Sequence, residues 1–525
     1  MVPVSAWLRG RTRILAPLLV FVATPAAAQV RTGNDSTVMS QTRDLLRAGA
    51  LAAYPRSADS SWLRAPPPYN PGSRTLAFGE TLLANLVPWM FNEYVTRYKD
   101  ITRISPTTWK NNVAAGARFD DNHFHINMLM HPYAGSLYYS AGRSNGYNFE
   151  KSFFFTVLGS TLWECCGESH RPSPGDLLTT TVGGTALGEM LYRWTSQILN
   201  RANQQTPRNG WWEVPVGMLS PVHTFTRWTL GRFSATNPVY VNPSSWAVFA
   251  ASGVRSGEGF FETGYTYGDV IAVTKRSSPF THFETVAELD FGGAKQTLGR
   301  VQARGSLWSR RFFSTNGACQ VTQALGQPGI PALSNCNNNY FNIIPFLGFD
   351  YNNNNAYEFG GQSIGGVAFL TVGRYPGGTH GVIAVDGHGF FGGVHSEHAD
   401  LAQRHDPRSE RRREYDFTLG TGYGGAGILS HRCLRMSAFY RRNKHHVVNG
   451  SSEVGPATHE TTLLGATARC RFLQRLGVGV DYRRYRRESH YDPSLHPEDY
   501  TLMNDNRIGV FVTLDASRPL GLFVF

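Results

Sequence analysis

Two neighbouring stretches decide the fold: Leu464-Gly465-Ala466-Thr467-Ala468-Arg469-Cys470-Arg471-Phe472, and after it Leu476-Gly477-Val478-Gly479-Val480-Asp481-Tyr482-Arg483. Apolar residues fall at every second position in both, with charge or glycine between them. Successive side chains of a strand point to opposite faces. Leu464, Ala466, Ala468, Cys470 and Phe472 therefore share one face, and Thr467, Arg469 and Arg471 share the other. In the second stretch Leu476, Val478, Val480 and Tyr482 oppose Asp481 and Arg483.

The same period of two runs from about residue 240 to the end. Phe261, Thr263, Tyr265 and Tyr267 oppose Glu262 and Thr266. Phe283, Thr285, Ala287 and Leu289 oppose Glu284, Glu288 and Asp290. Val301, Ala303 and Gly305 oppose Arg300, Gln302 and Arg304. Tyr415, Phe417 and Leu419 oppose Glu414, Asp416 and Thr418. Leu434, Met436, Ala438 and Tyr440 oppose Arg435, Ser437 and Arg441, and Ile508, Val510, Val512 and Leu514 oppose Thr513 and Asp515. One such strand occurs in any half-buried sheet. A long series with charges on the polar face and aromatic residues near strand ends is the lipid-out, polar-in pattern of a transmembrane barrel. Weaker segments near 246–255, 340–350, 356–372 and 380–395 bring the expected count to about twelve. The expected class is mainly β: a C-terminal transmembrane antiparallel β-barrel over 240–525, preceded by a small helical domain.

In that register Glu284, Glu288, Asp290, Arg300, Arg304, Arg435, Arg441, Arg469, Arg471, Asp481 and Arg483 point into the lumen. They form either a salt-bridged, filled interior or an anion-attracting pore. The larger loops are expected at 314–338, 396–413 and 444–460, and Tyr351 to Asn355 reads as a turn cluster. The chain closes on Phe523 and Phe525, which resembles the terminal-strand signal read by the barrel-assembly machinery. That machinery and outer-membrane lipid are the expected partners.

The N-terminus agrees with export. Arg9, Arg11 and Arg13 precede a short apolar run from Ile14 to Ala23, and Ala26-Ala27-Ala28 offers a cleavage site, so 1–28 is expected to be a signal peptide. The run is too short to span a bilayer comfortably, and no longer apolar stretch follows it. The address implied is the bacterial outer membrane. Net charge falls from +12 to +9 once the three leader arginines go. Export and the absence of any nucleic-acid motif argue against nucleic-acid binding. Of six cysteines, Cys319 and Cys336 bracket a Gly/Pro/Asn-rich loop and could be bridged in an oxidising compartment. Cys165 and Cys166, adjacent in a helix, are expected to be free. Cys433 and Cys470 are assigned to opposite faces and are not expected to pair.

Residues 29–75 form a lead-in with a Pro-rich linker. Residues 76–205 show helical spacing, with Leu82, Leu83, Leu86, Trp89 and Met90 on the first helix. Pro132 is placed to open a helix that Asn145-Gly146 closes. Asn148 caps a second, which stops at Gly167, and Asp176 precedes a third. Gly135, Gly142, Gly159, Gly184 and Gly188 allow close helix approach.

This helical part holds the densest run of chemistry-bearing residues. It includes Asp120, His123, His125, Asn127, His131-Pro132, Gly135, Tyr138-Tyr139, Arg143, Ser160, Trp163-Glu164, Glu168, Ser173, Asp176, Gly183-Gly184 and Gly188-Glu189. The run, about 110–193, resembles a bacterial family catalogued as domain of unknown function 3943 (DUF3943). The resemblance implies an envelope location and no established activity. Cys165-Cys166 departs from its pattern.

Three chemistries compete for these residues. In the first they satisfy one another in a bundle packed inside or beneath the barrel. In the second they serve a lipid hydrolase or acyltransferase, with Ser136 or Ser160 as nucleophile, His131 or His125 as base and Glu164 or Asp176 orienting it; Arg143, Glu168 and Glu189 complete the candidate set. There is no G-x-S-x-G elbow. In the third, His123, His125 and His131 with a glutamate hold a metal, although H-E-x-x-H is absent. No cofactor is expected. The function classes are thus a structural or binding barrel protein with its helical domain packed on or plugging the barrel, a pore for small anionic solutes, and an envelope lipid-modifying enzyme.

Overall fold

The computed structural model describes residues 73–515, except 97–98, 204–209, 234–245, 269, 271–272, 274–277, 293–297, 315–335, 338, 355, 376–378, 397–412, 451–456, 474 and 492–499. The expected leader, Cys319, Phe523 and Phe525 lie outside the described residues, as does most of the loops expected at 314–338 and 396–413.

Among the described residues nine α-helices come first: α1 (Arg74–Met90), α2 (Lys99–Thr102), α3 (Pro106–Ala115), α4 (His131–Ser144), α5 (Phe149–Leu162), α6 (Pro174–Leu178), α7 (Gly184–Asn203), α8 (Glu213–Leu219) and α9 (Pro221–Thr229). Short polar side chains set their starts. Ser73, Ser105, Asn148 and Ser173 each accept a hydrogen bond from a backbone N–H of the first turn, which satisfies a donor that the helix cannot. Ser173, not Asp176, caps the third expected segment; Asp176 lies inside its first turn. α8 and α9 were not expected, since the helical spacing seemed to end near 205.

Four π-helical turns interrupt the series: Phe91–Thr96, Ile126–Met130, Trp163–Gly167 and Thr179–Gly183. Cys165 and Cys166 lie in the third and are disulfide-bonded to each other, which corrects the expectation that they are free. Cys433 and Cys470 are free, as expected. Their thiols are nonetheless neighbours, so the face assignment did not keep them apart.

The glycines permit close packing as expected. α4 lies against α7 so closely that a Cβ on Gly135 would stand 2.9 Å from the Gly184 Cα.

The strands are β1 (Trp246–Arg255), β2 (Glu258–Tyr267), β3 (Phe283–Phe291), β4 (Leu298–Ser306), β5 (Arg310–Ser314), β6 (Cys336–Asn337), β7 (Tyr340–Asn354), β8 (Tyr357–Tyr375), β9 (His380–His395), β10 (Tyr415–His431), β11 (Leu434–Asn449), β12 (Thr458–Arg471), β13 (Leu476–His490) and β14 (Tyr500–Asp515). All pairings are antiparallel. β1 pairs with β14, and β7 pairs with both β4 and β8. Twelve strands therefore close a barrel, and the short β5 and β6 extend β7 and β8 at one end. Closure removes the edges that an open sheet would expose. Ser256 and Gly257, both at positive φ, make the two-residue β1–β2 turn, the geometry that matches strand twist. The turn clusters are shorter than expected: Tyr351 to Asn354 belong to β7, and the 444–460 segment is mostly strand.

The inward face is filled. Arg483 of β13 reaches Glu288 of β3 at 2.7 Å and Glu262 of β2 at 2.6 Å. Arg255 bridges Glu288 and Asp481, and Arg300 reaches Glu262 and Glu288. Arg441 faces Asp350 at 3.7 Å, and His388 pairs with Asp386. Aromatic residues share this face: Tyr357 of β8 meets Tyr485 of β13, with ring centroids 5.9 Å apart. Arg469 pairs with Asp515.

The helices do not enter this interior. Their contacts fall on the alternate, outward residues of the wall. Phe124 packs on Tyr351 and Tyr415, Phe119 on Phe417, and Trp194 stacks on Tyr265 at 4.7 Å. Met128 fits over Gly360, and Arg193 lies over the Tyr267 ring. Tyr265 and Tyr267 alternate with Glu262, Tyr351 with Asp350, and Phe417 with Asp416 and Thr418. The described helices thus sit on the outer wall from β2 to β10, which agrees with the expectation of a domain packed on the barrel and corrects that of a bundle inside or beneath it. One packing cluster, with Ala186, Met190, Phe283, Phe349 and Phe417 among its members, unites the two parts.

Candidate functional site

Three of the four π turns meet at one buried point. An extra residue in a helical turn frequently marks a functional site. Here those turns supply Asn127, Glu164 and Thr180. The start of α4 supplies His131 and the first turn of α6 supplies Asp176. One ligand atom from each of His131, Glu164 and Asp176 lies within 4.8 Å of the other two.

Each side chain is held. His131 Nδ1 lies 3.0 Å from Thr180 Oγ1, and its Nε2 stands 3.7 Å from Asp176 Oδ2. The Ser173 backbone N–H donates to Glu164 Oε2 at 2.8 Å. Asn127 Nδ2 donates to Asp120 Oδ1 at 2.7 Å and to the Tyr415 hydroxyl at 2.6 Å. Ser173 Oγ donates to Asp120 Oδ1 at 3.4 Å and accepts from the Asp176 N–H. Asp176 is 1 % exposed and Glu164 2 %.

Burial sets the electrostatics. Taking a carboxylate from water disfavours its charged form, and neighbouring carboxylates add to the effect. Burial first, and then the Asp120, Glu164 and Glu168 charges, push Asp176 well above the usual carboxylate range. Glu164 moves the same way, through burial and then Glu168. Glu168 is pushed up to about 8 by burial and Asp120. Burial lowers the His131 imidazole, with Asp120 opposing.

The other expected residues go elsewhere. Arg143 does not join His131. It donates to Glu189 at 3.2 Å, and Arg193 donates to the same carboxylate at 2.7 Å. Glu189 is buried and Arg193 half-buried, and Tyr139 donates to Glu189 at 2.7 Å. Ser136 Oγ donates to the Tyr133 carbonyl at 2.6 Å, and Ser160 Oγ has no partner among the described residues. Neither serine is hydrogen-bonded to His131. His123 stacks on His125 and stands 3.8 Å from Glu414. The three histidines therefore do not form one metal set: His131 goes with Glu164 and Asp176. Thr180 and Tyr415 were missed. Thr180 lies in an unremarkable Thr179-Thr180-Thr181 run, and Tyr415 comes from a strand far along the chain.

The molecule is a closed twelve-stranded antiparallel barrel with a helical domain on its outer wall. Residues 116–222 match the family model described as "Domain of unknown function (DUF3943)", so the resemblance expected from the His131–Glu189 run holds for that segment. None of the curated proteins matches the chain. Among solved structures, the chain is similar to the NanC porin, at 9% identity over 51% of this chain and 98% of that one, with a TM-score of 0.24. The outer membrane protein Omp33 of Acinetobacter baumannii is 8% identical over 51% and 97%, with a TM-score of 0.18. The Escherichia coli outer membrane protease OmpT is 8% identical over 52% and 93%, with a TM-score of 0.13. Likenesses this weak carry no argument, and the barrel rests on its own strand pairing.

Proposed function

We propose that this chain is a bacterial outer-membrane protein with a structural or binding role, in which a filled barrel anchors the helical domain on its outer wall. The observation that carries the reading is the ion-pair network from Arg483 to Glu262 and Glu288. It links strands that are not neighbours across the inward face of the barrel, which supports a closed interior. The membrane address is supported by the exposed apolar wall of β13 and β14, with Val478, Val480, Ile508, Val510, Val512 and Leu514 facing outward. The helical domain continues that surface: Leu82, Leu86, Val87 and Met90 of α1 and Phe154 of α5 are exposed. Lipid is its natural surrounding, and the barrel-assembly machinery its route there.

The pore reading is weaker, because the inward Arg255, Arg300, Arg441, Arg469 and Arg483 each face a carboxylate. A serine hydrolase reading is weaker too, because His131 faces Thr180 and Asp176 instead of a serine. Purified protein in planar bilayers tests the proposal. It is expected to give no steady conductance and to fractionate with the outer membrane. A stable open channel would overturn the filled-barrel reading.

A further inference from the structure

The polar cluster of the helical domain is incomplete as it stands. Asp176 Oδ1 and Asn127 Oδ1 are buried and have no hydrogen-bond partner among the described residues. Both residues are at most 1 % exposed. Among the described residues, no Lys or Arg pairs with Glu164, Glu168 or Asp176; the ion-pair partner of Asp176 is His131. Two other buried carboxylates of the helical domain have cationic partners: Glu189 has two arginines and Glu213 has Arg227. Buried charge is ordinarily paired or bound to metal.

We infer that His131, Glu164 and Asp176 bind one divalent first-row transition metal ion, with Glu168 close to the two carboxylates. Imidazole nitrogen with carboxylate oxygen suits Mn²⁺, Fe²⁺ or Zn²⁺, whereas Ca²⁺ and Mg²⁺ prefer oxygen alone. The surroundings fit. Metal-bound histidines usually engage their second ring nitrogen with a polar neighbour, which fixes the ring. Thr180 Oγ1 takes that place at His131 Nδ1 and leaves Nε2 toward Asp176. Glu164 is steadied by the Ser173 N–H, and Asn127 by Asp120 and Tyr415. The ion offsets the mutual repulsion of the carboxylates and joins α4, α6 and the Trp163–Gly167 turn. The inference rests on the helical domain alone and is independent of whether the barrel conducts.

The test uses the full-length protein, folded in detergent and stripped with chelator, titrated separately with Mn²⁺ and with Zn²⁺. Binding is followed by calorimetry, and for Mn²⁺ also by its electron paramagnetic resonance signal. One equivalent of at least one ion is expected to bind and to raise the melting temperature. His131→Gln and Asp176→Asn are expected to weaken binding at least tenfold. Thr180→Val, which touches only the outer partner of His131, is expected to weaken it by about 10- to 100-fold. The His123→Ala/His125→Ala double variant keeps full affinity. Circular dichroism confirms that each variant is folded, and the wild-type titration decides alone if a variant is not. Absence of stoichiometric binding to the wild type, or binding that His123→Ala/His125→Ala abolishes while His131→Gln spares it, overturns the assignment.

Discussion

The Tyr415 hydroxyl, on the outward face of β10, accepts a hydrogen bond from Asn127 Nδ2 at 2.6 Å. A barrel residue thereby holds the amide that borders the buried His131–Glu164–Asp176 cluster. The same ring packs edge-on against Phe124. The cluster and the wall are therefore coupled, although Asn127 and Tyr415 are 288 residues apart in sequence.

Tyr415→Phe keeps the packing and removes the acceptor. A buried donor left with one fewer partner costs about 1–3 kcal/mol. The helical domain is expected to become more sensitive to limited proteolysis, while the heat-modifiable gel mobility of the barrel stays unchanged. Equal protease resistance in variant and wild type would show that the bond contributes nothing to docking.

Glu288→Ala removes the carboxylate shared by Arg255, Arg300 and Arg483. Taking away one member of a buried charge network strands the others, at about 3–5 kcal/mol. The barrel is expected to unfold at clearly lower denaturant concentration in detergent. A midpoint within error of wild type would mean that water reaches these arginines and the interior is not filled.

Gly184→Val places a branched side chain where the Gly135 backbone lies. Forcing extra atoms into a packed contact costs about 1–3 kcal/mol or more. α4 and α7 must separate, so the variant is expected to lose near-ultraviolet dichroism from the helical domain. Retention of that signal at normal stability would argue against the tight crossing.

Glu80 predicts a pH dependence. Asn145 donates to its Oε2 at 2.7 Å, yet burial pushes the carboxyl up from 4.5 to about 7, with the Thr226 and Asn145 hydrogen bonds opposing. Between those two values the native state keeps a proton that the unfolded chain has released. Stability therefore falls as pH rises through that window, by at most about 1.4 kcal/mol per pH unit, and levels off above about pH 7. Glu80→Gln is expected to reduce this slope, measured by denaturant unfolding at several pH values. An unaltered slope would place its origin elsewhere.

The succession of helices and then strands, and the inward or outward faces of eight strands, were legible in the sequence. Val478 against Asp481, or Ala466 against Arg469, needs no more than the two-residue repeat of a strand. The chemistry-bearing residues were legible by type and locality: His131, Glu164 and Asp176 all lie in the run singled out from the helical part. Their grouping was not. Arg143 lies among them in sequence and went to Glu189, because helix packing and not chain distance sets which polar groups meet.

Local pattern alone could determine a barrel wall, since the alternation of a strand is a property of the backbone and repeats at each residue. Which side of that wall the helices occupy was decided only by the tertiary structure. Tyr265, Tyr351 and Phe417 are outward positions that lipid or helix would suit equally well, and apolar surface has no directional preference for its cover. The same holds for the three-residue cluster: side chains from separate turns acquire a common centre only when the helices that carry them are packed.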